Sequence, residues 1–496
     1  MVTRMRIAFC YPPFSKGERF PNLPQNRQFI YSSSREVKLY PVVMATAATW
    51  LRNSAHQILW LDGITTRMSW KVFEETLFSF NPGIVVLEAK APIMKRLWKL
   101  IDKWKVESGK WKIVLVGDHV TYFPEESFKT SKVDFILTGG DYDFLLVSLV
   151  RHLEEGRRLR PGIFFRDKGK INNTGKLRLD HDLDEAPIID RKLTRWQDYG
   201  EAYLYRPCAY VMFGRGCGIK GKERGACTFC IWQHALWQCS ARLVSPQQAV
   251  AEVQNLVNLG VKEIFDDTES GVLWDYEWLR KFYQLLERER LLGKVIFSSN
   301  ARGDQLDKNT CRLLKQLGYR LLKVGLESGS NEILAQIGKK EKIEDIIHGV
   351  KNAKDAGLRV MLTVMVGYPW GKEEEVRQTY AITRELMLYK TRAGDCLQAS
   401  VIIPYPGTPL WLQAKRNGWL IVEPYDYEKF DMGQPVLKTK IDAQQWCNRI
   451  WSIQKDPQFV LKSGLTIRSI NETVLLLRGA KSLLGHIRDY MRTGER

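Results

Sequence analysis

Short runs of consecutive apolar residues alternate with longer stretches in which apolar positions recur every third or fourth residue. The short runs, bounded by glycine or proline, read as buried strands, and the longer stretches read as helices. Arg6-Ile-Ala-Phe-Cys-Tyr-Pro-Pro13 is a strand ending in a proline-fixed loop, followed by a helix from about Pro41 to Arg52. Then come a strand at Gln57–Leu61, a helix near Trp70–Phe80, a strand at Ile84–Leu87 and a helix near Ile93–Trp104. Strands at Lys112–Val116 and Asp134–Leu137 and a helix at Phe144–Leu153 close the unit. This order predicts an α/β domain over residues 1–153 with a doubly wound, Rossmann-like parallel sheet. Ligands of such sheets bind beyond the carboxyl ends of the strands, here Tyr11-Pro12-Pro13, Glu88-Ala89-Lys90, Gly117–Thr121 and Gly139-Gly140-Asp141.

A charged, irregular stretch follows, with a small hairpin around Asp167–Gly169, and residues 154–206 read as a linker. From Pro246 to Leu259 the pattern is an amphipathic helix, and strand–helix units resume. Strands are expected at Glu263–Phe265, Val295–Ser298, Leu321–Gly325, Val360–Val366 and Gln398–Ile403. With the strand before Cys217 they make about six units over residues 207–423, a partial (β/α) barrel with its chemistry at the C-terminal strand ends. Residues 424–496 read as a small helical region, with helices at Asp442–Ile453 and Leu475–Met491. In the last of these Leu475, Leu476, Leu483, Leu484 and Ile487 form an apolar face beside Arg478, Lys481, Arg488 and Arg492. Such a helix meets a membrane surface or an acidic partner, or caps the core with its charges in water. Trp411, Trp419, Trp446 and Trp451 line a substrate-facing lid or fill core.

A chain of 496 residues is too long for one ordinary core, which agrees with several domains. No apolar run approaches the roughly 18 residues of a membrane span, and the N-terminus does not read as a signal peptide. Apart from one cluster the cysteines are scattered, which points to a reducing, cytoplasmic setting. The net charge of +19 favours an anionic partner, whether an anionic small molecule, a lipid surface, an acidic protein or nucleic acid, or serves solubility alone.

The chemistry concentrates between Val211 and His234, where three of the nine cysteines lie in a glycine-rich segment. Cys227-Thr-Phe-Cys230 presents two thiols to one centre, and Cys217 reaches it across the loop Lys220–Gly225. Three thiolates suit a cubane iron–sulfur cluster with one iron left open. A structural zinc wants a fourth ligand, for which Cys208, His234 and Cys239 are near in sequence. Spacing alone leaves both readings standing.

Gly214-Arg215-Gly216-Cys217 followed by Cys227-Thr228-Phe229-Cys230 resembles the CxxxCxxC cluster motif of radical SAM enzymes, with nine residues where the family has three. Loop closure entropy grows only logarithmically with length, so the longer gap is compatible with a cluster. Further segments are similar to those of cobalamin-dependent members. Val116-Gly117-Asp118-His119-Val120-Thr121-Tyr122-Phe123-Pro124-Glu125-Glu126 resembles the Gly-Gly-x-His-x-Thr-x-x-Pro-Glu-Glu segment of their cobalamin-binding domain, and Val133–Gly140 its next strand and turn. Phe265-Asp266-Asp267-Thr268, Arg302-Gly303-Asp304, Gly325-Leu326-Glu327-Ser328-Gly329-Ser330, Gly367-Tyr368-Pro369 and Pro404–Leu410 resemble segments of the radical SAM core, in the same order.

The resemblance implies that Cys217, Cys227 and Cys230 hold a 4Fe-4S cluster whose open iron chelates S-adenosylmethionine. Phe229 would pack near the adenine, Arg302, Glu327 and Ser328 would contact the methionine or ribose, and Asp266 and Asp267 the ammonium or the substrate. For the last five, ion pairing or strand-end capping is the alternative. Cobalamin would lie against Tyr11, Pro12, Glu88, Asp118, His119, Thr121, Gly139 and Gly140. The Asp-x-His-x-x-Gly signature is absent, so no histidine lower ligand is expected, and His119 touches the cofactor's polar periphery or caps the next segment. The implied activity is a methyltransferase in which a 5′-deoxyadenosyl radical takes hydrogen from an unactivated carbon and methylcobalamin supplies the methyl group. An external ferredoxin- or flavodoxin-like reductant is implied. Alternatives are a cobalamin-dependent cyclase or rearrangement enzyme, a tRNA-modifying radical SAM enzyme without cobalamin, and a non-catalytic zinc or cluster protein.

Overall fold

Two parallel sheets organise the chain in the computed structural model, which describes residues 4–24, 29–34, 36–218 and 227–491. The loop Lys220–Gly225 and Arg492 lie outside the described residues, as do the side chains of Leu483, Leu484, Ile487 and Arg488. The first sheet begins with β1 (Arg6–Tyr11), β2 (Gln57–Asp62), β3 (Ile84–Glu88), β4 (Lys112–Val116) and β5 (Phe135–Leu137). They pair in parallel in the order β2-β1-β3-β4-β5. Ile7–Tyr11, all of β3 and Ile113–Val116 are buried, as apolar runs covered on both faces should be. Helices α1 (Val42–Asn53), α2 (Trp70–Phe80) and α3 (Met94–Ser108) make the crossovers, and α6 (Tyr142–Glu155) follows β5. The strand order reverses at β1/β3, where Tyr11 Oη donates to Glu88 Oε2 at 2.6 Å. This is the switch point at which such folds bind ligands.

Two short helices, α4 (Asp118–Tyr122) and α5 (Pro124–Thr130), were not legible as periodic stretches. Each is too short to repeat an apolar face, although Pro124 with Glu125 and Glu126 is a helix-start signature. The hairpin in the connecting stretch is β6 (Ile163–Asp167) and β7 (Lys170–Asn173). It adds antiparallel to β5, so the first sheet runs on into the stretch read as a linker.

The second sheet contains β8 (Cys208–Val211), β9 (Glu263–Asp266), β10 (Ile296–Ala301), β11 (Tyr319–Glu327), β12 (Arg359–Val366) and β13 (Cys396–Val401). All neighbours are parallel and spatial order follows chain order. Helices α7 (Pro246–Asn258), α8 (Tyr276–Arg288), α9 (Lys308–Gln316), α10 (Asn331–Gln336), α11 (Ile343–Asp355) and α12 (Glu373–Leu388) fall between the strands. Alternate residues of β11 and β12, such as Lys323, Gly325 and Glu327 or Met361, Thr363 and Met365, face a central cavity, as the two-residue strand period requires.

After β13 come α13 (Pro409–Arg416), α14 (Ala443–Trp451), α15 (Pro457–Leu465) and α16 (Ile470–Met491). Among the described residues no helix is long and apolar enough to cross a membrane.

Candidate functional site

Beyond β8 the chain is tied down before it reaches the first cysteine. Phe213 N–H donates to Asp266 Oδ1 at 3.1 Å and Gly214 N–H to Thr268 Oγ1 at 2.9 Å. The Arg215 side chain turns toward the first domain and meets Asp141 and Asp143 at the start of α6, with contacts of 2.5–2.9 Å. Arg242 and His181 join the same Asp141 carboxylate at 2.8 Å. Burial alone would raise the Asp141 carboxyl, but Arg215, His181 and Arg242 outweigh it and hold it well below the usual range. Gly216 has φ +92°, and a Cβ there would stand 1.7 Å from Ser240 O, so both conformation and space require glycine.

The second and third cysteines sit in a turn closed by Cys230 N–H to Cys227 O at 2.9 Å. Thr228 fastens it to the barrel, donating to Ile337 O at 2.8 Å and accepting from Leu410 N–H at 3.0 Å. A π-helical turn, Trp232–Leu236, follows. Such turns interrupt regular helices and recur at functional sites.

Cys217, Cys227 and Cys230 line one end of a cavity of about 690 Å³, together with Phe229, Arg302, Glu327 and Lys339. Burial pushes the Cys227 thiol up to about 12 and raises Cys217, against which Arg302 and Lys339 act. The two cations are held by carboxylates. Arg302 Nη2 is 3.0 Å from Asp304 Oδ2, and Lys339 Nζ lies 3.0 Å from Glu341 Oε2 and 3.5 Å from Glu327 Oε1. Glu327 occupies a left-handed conformation (φ +61°) at a register shift between β11 and β12. A non-glycine residue in that region is strained, a feature that clusters at functional sites.

Of the other residues read from the sequence around the cluster segment and the second sheet, Cys239 and Trp451 line the cavity, and Asp266, Asp267, Ser328, Cys208 and His234 do not. Asp266 Oδ1 accepts from Phe213 N–H and from Thr268 N–H and Oγ–H, which is strand-end capping. Asp267 is buried with Asn300 Nδ2 3.4 Å from its Oδ1, and Ser328 Oγ packs 3.3 Å from Thr379 Oγ1. Cys208 opens β8 at its N-terminal end and donates to Tyr199 O at 3.9 Å, away from the other thiols. His234 Nε2 lies 3.2 Å from Cys227 O, and Cys239 reaches the cavity while donating to Gln233 O at 3.8 Å. Among the described residues no three His, Cys, Asp or Glu side chains stand close enough to hold a single metal ion. Of the four tryptophans, Trp451 lines the cavity, whereas Trp411 and Trp446 are buried in core.

The strand ends of the first sheet face the cluster segment across a closed seam. Thr121 Oγ1 donates to Gly117 O at 2.7 Å and accepts from Gly139 N–H at 3.0 Å. His119 is buried, 3.0 Å from Glu126 Oε2, with its ring 4.6 Å from Tyr427. Asp118 lies 3.9 Å from Lys90. Pro12 O accepts from Phe14 N–H at 2.7 Å. Gly140 N–H donates to Leu236 O at 2.9 Å, and a Cβ on Gly140 would fall 2.0 Å from the Trp237 ring. Beside Asp118 and His119 the remaining space is about 10 Å³.

Residues 211–381 match the sequence model of the radical SAM superfamily. The chain carries a radical SAM domain. An uncharacterized methyltransferase of Pyrococcus horikoshii, PH0819, is 26% identical over 408 residues, covering 81% of this chain and 83% of that protein. The anaerobic magnesium-protoporphyrin IX monomethyl ester cyclase of Rubrivivax gelatinosus is 23% identical over 470 residues, covering 90% of this chain and 76% of that protein. Among solved structures, the radical S-adenosylmethionine methyltransferase TsrM of Kitasatospora setae, with cobalamin and a 4Fe-4S cluster bound, aligns with TM-score 0.69 and 14% identity. That alignment covers 99% of this chain and 100% of the other. The two-sheet fold is therefore the fold of a cobalamin-dependent radical SAM methyltransferase.

The radical SAM domain's donor set fits a cluster. Three thiols gather at one cavity end with two buried cations beside them, which suits an anionic thiolate-bound centre better than a single four-coordinate ion. The same end has the charges S-adenosylmethionine would need: Glu327 could face its ammonium, Arg302 and Lys339 its carboxylate, and Phe229 its adenine. At the seam a corrinoid would meet packed side chains. Tyr11 pairs with Glu88 and Thr121 with Gly139, His119 and Asp118 are held by Glu126 and Lys90, Gly140 is covered by Trp237, and the space of about 10 Å³ beside Asp118 and His119 is about that of one water. A corrinoid would reach those loops only after the turn carrying Trp237 has moved. Lys339 was not legible in the sequence, because Lys339-Lys340 reads as a solvated pair until the fold turns one of them inward. The contact of Trp237 with Gly140 and the Arg215 network were likewise invisible, since Gly140, Asp141 and Asp143 lie at the end of the first sheet, far from both in chain order.

Proposed function

We propose that this protein is a radical SAM enzyme that modifies an unactivated carbon of its substrate, most directly by methylation. The observation that carries the reading is the convergence of Cys217, Cys227 and Cys230 with Arg302, Lys339 and Glu327 at one end of the cavity of about 690 Å³. A cluster held by the three thiols, with one iron open, would supply the electron that cleaves S-adenosylmethionine. The chain itself positions the two reactants. Arg302 and Lys339, kept charged by Glu341, Asp304 and Glu327, offer fixed positive charge to the carboxylate of S-adenosylmethionine. Glu327 offers an acceptor to its ammonium. The rest of the cavity, walled by β11 to β13 and the C-terminal helices, leaves room for the substrate.

Methyl transfer is supported by the full-length fold likeness and by the methyltransferase relative. Ring formation on the same scaffold is favoured by the cyclase relative, which matches 90% of the chain. The products separate the two. Anaerobically reconstituted protein, with hydroxocobalamin as methyl carrier, S-adenosylmethionine, a strong reductant and substrate, should yield 5′-deoxyadenosine and S-adenosylhomocysteine together, one S-adenosylmethionine methylating the corrinoid and a second giving the radical. Deoxyadenosine without homocysteine would move the reading to cyclisation. Protein with an intact cluster that cleaves no S-adenosylmethionine would overturn both.

A further inference from the structure

Half of the large apolar side chains that stand exposed among the described residues lie between Val460 and Leu477, on α15 and α16. Leu461 and Leu465 on α15 are 64% and 67% exposed, and Ile470 and Leu477 on α16 are 83% and 66% exposed. Ile470, Val474 and Leu477 are spaced by four and three residues, which puts them on one helix face. Exposed apolar side chains concentrated on two consecutive helices mark an interaction surface.

Two further observations identify what it meets. The first is charge. From Pro457 to Ser482 the one acidic residue is Glu472, which is buried against Arg359 and the Arg468 N–H. Lys455, Lys462 and Arg468 stand exposed around the patch. The second is continuity with the cavity. Val460 and Gly464 of α15 and Ala480 of α16 both line the cavity and are exposed, so it opens between the two helices. Beside it the buried Phe459 and Leu475 and the half-buried Leu476 also line the cavity, along with Ser463 and Ser482.

We propose that α15 and α16 seat the protein on an anionic lipid surface, and that a lipid-type substrate passes from that surface into the cavity between them. Apolar side chains enter the headgroup boundary while flanking lysines and arginines face anionic lipid, the arrangement of interfacial helices. The docking claim stands by itself; the passage of substrate rests on the function proposed above.

The test is cosedimentation of the full-length protein with phosphatidylcholine vesicles and with vesicles that also contain phosphatidylglycerol, at about 0.1 M salt. Wild type should bind the phosphatidylglycerol vesicles, and less as salt rises. The variant L461E/I470E/L477E should lose at least about tenfold in vesicle affinity while keeping its melting temperature and its S-adenosylmethionine affinity. The variant K455Q/K462Q/R468Q should lose the preference for phosphatidylglycerol. Wild type that ignores both vesicles, or an apolar variant that binds as well as wild type, overturns the proposal. So does a wild-type dimer that the apolar variant converts to monomer, because the patch would then join two copies. None of these readouts needs turnover, so failure of docking and failure of the proposed chemistry are told apart.

Discussion

The Arg215 guanidinium holds the Asp143 carboxylate with both terminal nitrogens, Nη1 2.9 Å from Oδ1 and Nη2 2.5 Å from Oδ2. Asp143 lies at the start of α6, which follows β5 of the first sheet, and Arg215 lies two residues before Cys217, so the pair registers the first sheet's layer on the cluster segment. Both groups are buried, and removing one partner strands the other. Arg215→Met should cost about 3–5 kcal/mol in urea unfolding, the range for broken buried pairs. A cost below about 1 kcal/mol would class it with surface pairs.

The same network sets an acid limit. Asp141 is pushed up by burial but pulled further down by Arg215, His181 and Arg242, so its folded pKa is depressed. A depressed carboxyl contributes stability that is present above its unfolded pKa, about 3.9, and is lost as pH falls through the folded value. Stability should therefore decline below about pH 4, and more gently in Asp141→Asn. Equal acid slopes in the two proteins would remove Asp141 from the cause.

Asp266 carries the opposite sign. Burial raises its carboxyl to about 6, and its Oδ2 has no hydrogen-bond partner. The charged form is thus disfavoured in the fold, and this group's contribution falls as pH rises from about 4 toward 6. Asp266→Asn, which keeps the acceptor oxygen, should hold or raise the melting temperature at pH 7. Asp266→Ala should cost about 1–3 kcal/mol by leaving the Phe213 and Thr268 N–H groups unpaired.

Lys339 separates binding from structure. Lys339→Met would leave Glu327 and Glu341 facing each other without their shared cation. Its affinity for S-adenosylmethionine should fall at least about tenfold, with partial recovery in Lys339→Arg. Ser328→Ala, off the cavity wall, should bind within about twofold of wild type. A larger effect at Ser328 than at Lys339 would contradict the assignment.

The closed seam makes a kinetic prediction. Because Trp237 lies on Gly140, uptake of hydroxocobalamin at these loops should be limited by movement of that turn. Trp237→Ala should speed uptake at least about tenfold, at a stability cost of about 3–5 kcal/mol. Unchanged rates in a folded variant would place any corrinoid elsewhere.

Most of both sheets was legible because their strands are apolar runs punctuated by proline and glycine. Gln57–Asp62, Trp70–Phe80, Lys112–Val116 and Arg359–Val366 fall within a residue or so of the expected spans. Elements shorter than a repeat, such as Asp118–Tyr122, leave no periodic signal. Pro457–Leu465 was also missed, its apolar positions being split between cavity and solvent. The cysteines, Phe229, Arg302 and Glu327 could be named because local motifs carry them. Lys339 and Glu341, which pair with Glu327 and Arg302, could not, nor could Asp141 and Asp143, which hold Arg215, because they acquire meaning only when distant loops meet.

The central claim is that three particular thiols share one open cluster. The most direct measurement is electron paramagnetic resonance of the anaerobically reconstituted, reduced protein, with and without S-adenosylmethionine. Wild type should show a cubane signal that shifts when S-adenosylmethionine is added, and Cys217→Ala, Cys227→Ala and Cys230→Ala should each lose it while Cys208→Ala and Cys239→Ala keep it. A signal that S-adenosylmethionine leaves unchanged, or one that survives Cys227→Ala, would contradict the account.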